Sequence, residues 1–452
     1  MANTYLTRSK SSPTSDKKGT ISFWVKRSKI TNEQSVFNSG SGSIDSNIYF
    51  NGSTDKLHVY DYQSGAFSFQ YITTRVFRDA SAWYAITVEI DTTLSTAADR
   101  VKIYINGVRE TAFDTSTAPS QNATPLFFTS ANPFYIGAYR GSSGFCDLLL
   151  SHFHYTDGYA YGASTFGSTD TNGQWKINTS PSFTPGTNGF TVLKDGSTIT
   201  DQSANSNNFS LGGGTLTNTE DCPDNVFCTM NPLDNYYTVH TFSNGNTTVT
   251  APSSGYSGVI GTMGASSGKY YFEFKPISKT GDADEYSVGI AAQSVHSINQ
   301  PHWKMSLGYM YIGVNGNKIN NDTSSSYGNT FTAGDIIGVA MDLDNLKLYF
   351  SKNGTWQTSG DPTSGSTGTG AAFTLTSPTS DASLLAFSTG YYLPCCAFVS
   401  NSAGATMSFN FGNGFFGTTA ISSEGTNASG IGKFEYDVPT GYTALSTKGL
   451  NE

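Results

Sequence analysis

Charge is scarce in this chain of 452 residues. Asp, Glu, Lys and Arg together make up 13%, about half of the roughly 25% found in an ordinary soluble domain. That excludes a chain held open by its own charge, and it excludes helical bundles rich in Glu and Lys. Cysteine is scarcer still: Cys146, Cys222, Cys228, Cys395 and Cys396. The number is odd, the chain is long and one pair is adjacent, so a secreted disulfide framework is excluded and buried thiols are expected. Dense basic runs are missing too. Lys and Arg number 25 against 34 acids, a net charge of −9, and Lys17–Lys18 and Lys26–Arg27 are isolated pairs. A nucleic-acid partner is therefore not expected. No apolar run approaches the ~18 residues of a membrane span, and Met1 to Arg8 lack the apolar stretch of a secretory leader. The expectation is a chain made in a cytoplasm, without membrane insertion.

What the sequence has in quantity is glycine (48), phenylalanine (30) and tyrosine (26), with Ser, Thr and Asn filling most polar places. Aromatic residues bury large areas, so cores can form. Their spacing has a period of two. Val101, Ile103 and Ile105 alternate with Lys102 and Tyr104. The segments Ile86 to Ile90, Tyr270 to Phe274 and Leu346 to Phe350 alternate in the same way. Asn106-Gly107 and Asn353-Gly354 follow two of these runs, and Asn-Gly suits a hairpin whose central residues need positive φ. No window of ten or more residues has a helical period. The fold class is all-β.

A weak internal repeat divides the chain. Trp83 to Asp91, a polar loop and Val101 to Gly107 are echoed by Gly334 to Asp342, a tighter loop and Leu346 to Gly354. Two β-sandwiches of related architecture explain this better than one large domain. The expected boundaries are a first sandwich with an N-terminal arm over 1–167 and an ordered connector with short strands over 168–235. A second sandwich over 236–413 and a tail over 414–452 complete the chain. Trp175, Phe183, Phe190 and Phe209 require the connector to be ordered, because they need burial.

The first half resembles laminin-G-like and concanavalin-like jelly rolls, through Gly19 to Val25, Trp83 to Val88, Val101 to Gly107, Phe134 to Tyr139 and Phe145 to Leu150. The second half resembles a SPRY domain through Gly268 to Phe274, Tyr286 to Ile290, Gly334 to Gly354, Tyr391 to Ala397 and Met407 to Gly412. The whole layout, with Tyr5 to Arg8, Phe23 to Ser28, Val76 to Trp83, Asp157 to Gly167 and Asp221 to Phe227, is similar to virion structural proteins of tailed phages of marine bacteria. That resemblance implies a tail fibre, spike or head-decoration protein at the virion surface. The implied partners are other virion proteins, further copies of itself (a trimer, by analogy) and host surface glycans.

Enzymatic chemistry is the first alternative, since glycan-degrading enzymes use such sandwiches. Retaining glucanases on this scaffold need two carboxylates about 5–5.5 Å apart, on a motif E-x-D-x-x-E or E-x-D-x-E. Glu89-Ile-Asp91 begins the motif, but Thr93 and Leu94 stand where the last Glu should be. No catalytic residue is assigned. Gly264 to Gly268 has the spacing of a nucleophile elbow but leads into a strand rather than a helix. His152 and His154 have metal-like spacing without a third ligand. Calcium is the one cofactor to weigh. Asp201, Asn205 and Asn207 offer hard oxygen ligands in one loop, although a loop that satisfies its own backbone has the same composition. For a bound glycan, the candidates are His302, Trp303 and Tyr309 in the loop from Asn299 to Tyr311, and Trp356 after the Asn353-Gly354 turn. Aromatic faces of that kind stack on sugar rings, although each could equally pack a sandwich edge.

Overall fold

The computed structural model describes residues 3–130, 132–196, 198–236, 240–252, 255–279, 285–293, 301–378, 388–400 and 404–451. Among these the regular structure is strands, with three-residue 3₁₀ turns and no α-helix. The chain folds as two units, 1–218 and 219–452.

In the first unit the strands are β1 (Tyr5–Arg8), β2 (Lys18–Arg27), β3 (Gln34–Ser41), β4 (Ile44–Phe50), β5 (Lys56–Gln63), β6 (Ala66–Val76), β7 (Trp83–Asp91) and β8 (Val101–Ile105). They continue as β9 (Val108–Arg109), β10 (Phe113–Thr117), β11 (Phe134–Ile136), β12 (Leu148–Asp157), β13 (Gly167–Thr169), β14 (Trp175–Ile177), β15 (Phe190–Val192) and β16 (Ser210–Gly213). One sheet runs β10-β6-β5-β4-β3-β11-β1-β16, the other β15-β12-β2-β7-β8-β9, and β13-β14 is a separate hairpin. The period-two rows face each other across the core. Ile86, Val88, Ile90, Val101, Ile103 and Ile105 come from one sheet, and Ile48, Phe50, Leu57, Val59 and Phe69 from the other, all at most 3% exposed. Asn106 and Gly107 take φ of +49° and +78°, the hairpin turn that brings Val108 opposite Ile105. Lys26 and Arg27, a basic pair in the sequence, are both buried. Arg27 pairs with Asp55 at 3.0 Å and lies over the Phe50 ring.

Two expected pieces are not separate. β15 adds to β12 and β16 adds to β1, so the sequence read as a connector supplies edge strands to both sheets of the first unit up to residue 218. The Gly212 to Gly214 run belongs to this closure. A Cβ on Gly212 would lie 2.1 Å from the Tyr5 ring, so only glycine lets β16 approach β1. The N-terminal arm is held in the same way. β1 lies between β11 and β16, Lys10 Nζ donates to Ser39 Oγ and the Leu126 carbonyl, both at 2.7 Å, and Ser11 N–H donates to Asn188 Oδ1. From Asn3 onward the arm is part of its own sandwich; Met1 and Ala2 lie outside the described residues.

In the second unit, one sheet orders Met230–Tyr236, Gly255–Gly261, Ser388–Ser400, Glu285–Gln293, Gly308–Ile312, Asn317–Asn320 and Thr323–Ser326. The other orders Thr241–Ser243, Thr248–Thr250, Ala405–Asn410, Lys269–Lys279, Ile337–Asp342, Lys347–Lys352 and Thr355–Trp356. The alternation in Tyr270 to Phe274 predicts one wet face, yet Tyr271 and Glu273 are fully buried as well. The reason is the segment read as a tail. Phe434, Val438, Tyr442 and Ala444 pack with Tyr271 and Tyr349, and Thr443–Ala444 pairs in parallel with Lys269–Lys279. Glu273 is the staple. Its carboxylate accepts the N–H groups of Glu435 and Tyr436 (both 2.9 Å), Asn410 Nδ2 (3.0 Å) and the Tyr271 hydroxyl (3.3 Å).

Candidate functional site

The glycan candidates of the second unit are packing residues. His302 is fully buried, Trp303 is 8% exposed and Tyr309 is 4% exposed. The 3₁₀ turn His302–Lys304 tucks Trp303 against Ile260, Ala291, Met310, Cys395 and Ala397. Tyr309 alternates inward on its strand, where its ring meets Phe373 and Tyr392 and its hydroxyl accepts the Thr376 N–H. Trp356 is half-buried, edge-on to Tyr271. The three buried rings, His302, Trp303 and Tyr309, offer no free face to a sugar. Asn299 and Gln300 of the same expected loop lie outside the described residues.

The calcium candidates are also occupied. Asp201 accepts the N–H groups of Thr191, Ser203 and Asn207 at 2.7–2.8 Å and the Ser203 hydroxyl at 2.8 Å. Asn205 Nδ2 donates to the Gly186 and Gly189 carbonyls. Asn207 Nδ2 donates to the Thr187 and Gly189 carbonyls, while its Oδ1 accepts from Arg8. The loop ties 186–191 to β1 through the amide nitrogens of Asn205 and Asn207 and the oxygens of Asp201 and Asn207, the arrangement of a loop that satisfies its own backbone. Among the described residues no group of three or more His, Cys, Asp or Glu is placed to hold a metal. The glucanase-like fragment is closed as well. Glu89 pairs with Lys102 at 2.9 Å and accepts the Tyr104 hydroxyl at 3.0 Å, and Asp91 accepts the Thr93 N–H. All five thiols are free, three of them buried.

The structure brings together a set of residues that the spacing left unmarked. On β4 and β5 the core takes Ile48, Phe50, Leu57 and Val59, which turns Tyr49, His58, Tyr60 and Tyr62 to the outer face. Tyr49 stands opposite His58, and Tyr62 opposite Phe67 on β6. The rings form a chain: Tyr49–His58 at 4.7 Å, Tyr49–Tyr60 at 5.9 Å, Tyr60–Phe67 at 5.5 Å and Tyr62–Phe67 at 5.1 Å. Polar ties fix them in place. The Tyr60 hydroxyl donates to Asp45 Oδ2 at 2.6 Å, Asp45 pairs with Arg140 at 2.9 Å, and Arg140 lies over the Tyr139 ring. Burial, helped by the Lys56 charge, holds His58 down to about 4, so its ring is neutral at pH 7. The solvated face of an antiparallel sheet is ordinarily polar; a field of linked rings with Phe67 45% exposed departs from that pattern. The available signal was the sequence His58-Val-Tyr60-Asp-Tyr62, which carries rings on the polar side of its alternation.

Residues 2–158 match the family described as the Concanavalin A-like lectin/glucanases superfamily, and residues 269–414 match the SPRY domain family. The chain carries a concanavalin-like domain followed by a SPRY domain. A stretch of 91 residues is 40% identical to Ran-binding protein 9 of Danio rerio and 38% identical to that of Homo sapiens. Those stretches are 20% of this chain and 15% and 12% of the relatives, so only a small part of either relative is matched. The SPRY domain of human HERC1 is 22% identical and matches 40% of this chain and 96% of its own, with a TM-score of 0.31. The concanavalin-like and SPRY composition is that of a binding module.

Proposed function

We propose that this chain is a non-catalytic adhesion protein that holds glycans on the ring field of its concanavalin-like domain and protein neighbours through its SPRY domain. The observation that carries it is the chain of linked rings on the outer face of β4, β5 and β6. Rings locked to one another lose little freedom on binding, and sugar C–H faces stack on them while neighbouring hydroxyl and amide groups bond the sugar hydroxyls. The non-catalytic reading is supported by Glu89 and Asp91, both taken up by donors of their own strands and loop. Relatives of the SPRY stretch are named for binding a protein, Ran, which supports assigning protein contacts to that domain.

The layout's resemblance to phage particle proteins supports a finer reading. The chain serves as a tail fibre, spike or head-decoration component at the virion surface, in trimeric copies, touching other virion proteins and host surface glycans. Repetition converts contacts of about millimolar strength into firm attachment through effective concentration. A glycan array run beside a turnover assay on the same polysaccharides tests the binding reading. Binding without cleavage, reduced about tenfold or more in Tyr60→Ala combined with Phe67→Ala, is expected. Released products, or binding unchanged in that variant, would overturn it. Labelled antibody on purified particles tests the location, and particles without the label would remove the virion role.

A further inference from the structure

A concavity lies on the outer face of the other sheet of the first unit, with a volume of about 280 Å³, close to the lower end of ligand pockets at about 300 Å³. Its floor is His154 of β12 and Thr191 of β15, joined by a 2.9 Å bond between His154 Nδ1 and Thr191 Oγ1. Its wall is Phe183, half-buried and braced from behind by Phe166 at 5.6 Å and Tyr161 at 6.1 Å. His154 is itself stacked on Phe166 at 5.2 Å. The cavity is therefore rigid on its aromatic side. Ser203 and Gln202 also line it.

The charges around it are unequal. Asp201 is filled by four donors, as described above, and Asp195 accepts Gln202 Nε2 at 2.6 Å. Lys194, which lines the cavity, uses its main-chain N–H on Gln202 Oε1 at 3.1 Å, while its ammonium enters no ion pair among the described residues. A ring wall, a row of hydroxyl and amide groups and one unpaired cation together select a ring that carries hydroxyls on one side and an anionic group on the other. We infer that this cavity binds a pyranose bearing a carboxylate, an acidic sugar residue of a surface polysaccharide. The inference rests on the adhesive reading for the source of the ligand, but it concerns a different face from the ring field.

Titration of the full chain with glucuronate and galacturonate, with glucose as the neutral control, tests it by saturation-transfer NMR and calorimetry. Dissociation constants of about millimolar are expected for the acids, the range that multivalent attachment makes useful. Glucose should bind at least about tenfold more weakly. Lys194→Gln, which removes the charge and keeps a side chain of similar length, should weaken acid binding about tenfold or more and abolish its salt dependence. Phe183→Leu should weaken acid and neutral sugars alike. Equal binding of glucose and glucuronate, wild-type binding by Lys194→Gln, or no binding of either acid would overturn the proposal. The two readings fail separately: loss of the acidic-sugar site in Lys194→Gln leaves array binding through Tyr60 and Phe67 intact.

Discussion

Falling pH should weaken the second unit, and the cause is a pair of buried imidazoles. His302 is fully buried and His240 is 2% exposed. Burial holds His302 down to about 3 and His240 down to about 4, and the charge of His240 further opposes protonation of His302. Space around His302 is tight, since a Cβ on Gly258 would sit 2.9 Å from its Nδ1. Both pKa values are lower in the folded chain than in the unfolded one, where histidine titrates near 6.5. Stability is therefore complete above about pH 6.5 and is lost as pH falls toward the folded values. At about pH 4.5 each ring has forfeited nearly two pKa units, about 2.7 kcal/mol, so the pair costs about 5 kcal/mol. That is comparable with the whole stability of a marginal domain, about 5–15 kcal/mol. Urea unfolding followed by Trp fluorescence at a series of pH values measures it, with Trp303 beside His302 as reporter. Glu273, whose carboxyl burial pushes up to about 7, works in the opposite sense and returns about 2 kcal/mol over the same window. The second unit's midpoint should therefore fall between pH 6.5 and 4.5 by the equivalent of about 2–3 kcal/mol, and His302→Leu should remove most of the fall. A midpoint that holds steady over that range, or falls equally in the variant, would refute the reasoning.

Glu273→Ala should free the C-terminal segment. It leaves the half-buried N–H groups of Glu435 and Tyr436 without their acceptor, at about 1 kcal/mol each, and should lower the second unit's urea midpoint while exposing residues 415–451 to protease; a segment that stays uncut would deny the staple. In the first unit, Arg27→Met should leave the buried Asp55 carboxylate with only Arg78 at 2.9 Å and the Thr31 N–H at 2.8 Å, at a cost below the roughly 3–5 kcal/mol of a fully stranded charge, read as a lower urea midpoint. The double replacement Arg27→Met with Asp55→Leu should recover much of that loss. Millimolar Ca²⁺ should leave the melting temperature unchanged, because every Asp201 oxygen already accepts N–H or O–H donors; a rise of several degrees would return the 201–208 loop to the list of cation sites.

Much of the fold was legible because its signals are local. Period-two rows such as Val101, Ile103 and Ile105 fix which face is buried, and Asn106-Gly107 fixes the turn between β8 and β9. What could not be read locally is what covers a strand's second face. Tyr271 and Glu273 have the pattern of a wet face, and only the return of Phe434 to Ala444 from more than 160 positions away makes it dry. The 168–235 segment misled for a related reason. β15 and β16 are short, and their place at the sheet edges depends on pairing with β12 and β1, which no property of the segment itself announces.

The site residues show the same limit more sharply, because composition describes a side chain's capacities and not their use. Trp303 and Tyr309 have the faces that sugars stack on, but Trp303 covers the back of one sheet and Tyr309 fills its front. Asp201 and Asn207 have the oxygens of a calcium loop, but those oxygens are filled by donors from Thr191, Ser203, the Asn207 N–H and Arg8. Conversely, Tyr60 is a poor core residue only because Val59 and Asp61 on either side of it point inward, and that parity is visible in the sequence once β5 is placed. A ring on the wrong parity of a well-marked strand is thus a better guide to a contact surface than a tryptophan in a loop. The loop ring can turn inward to escape water, whereas the strand ring is held outside by every inward neighbour it has.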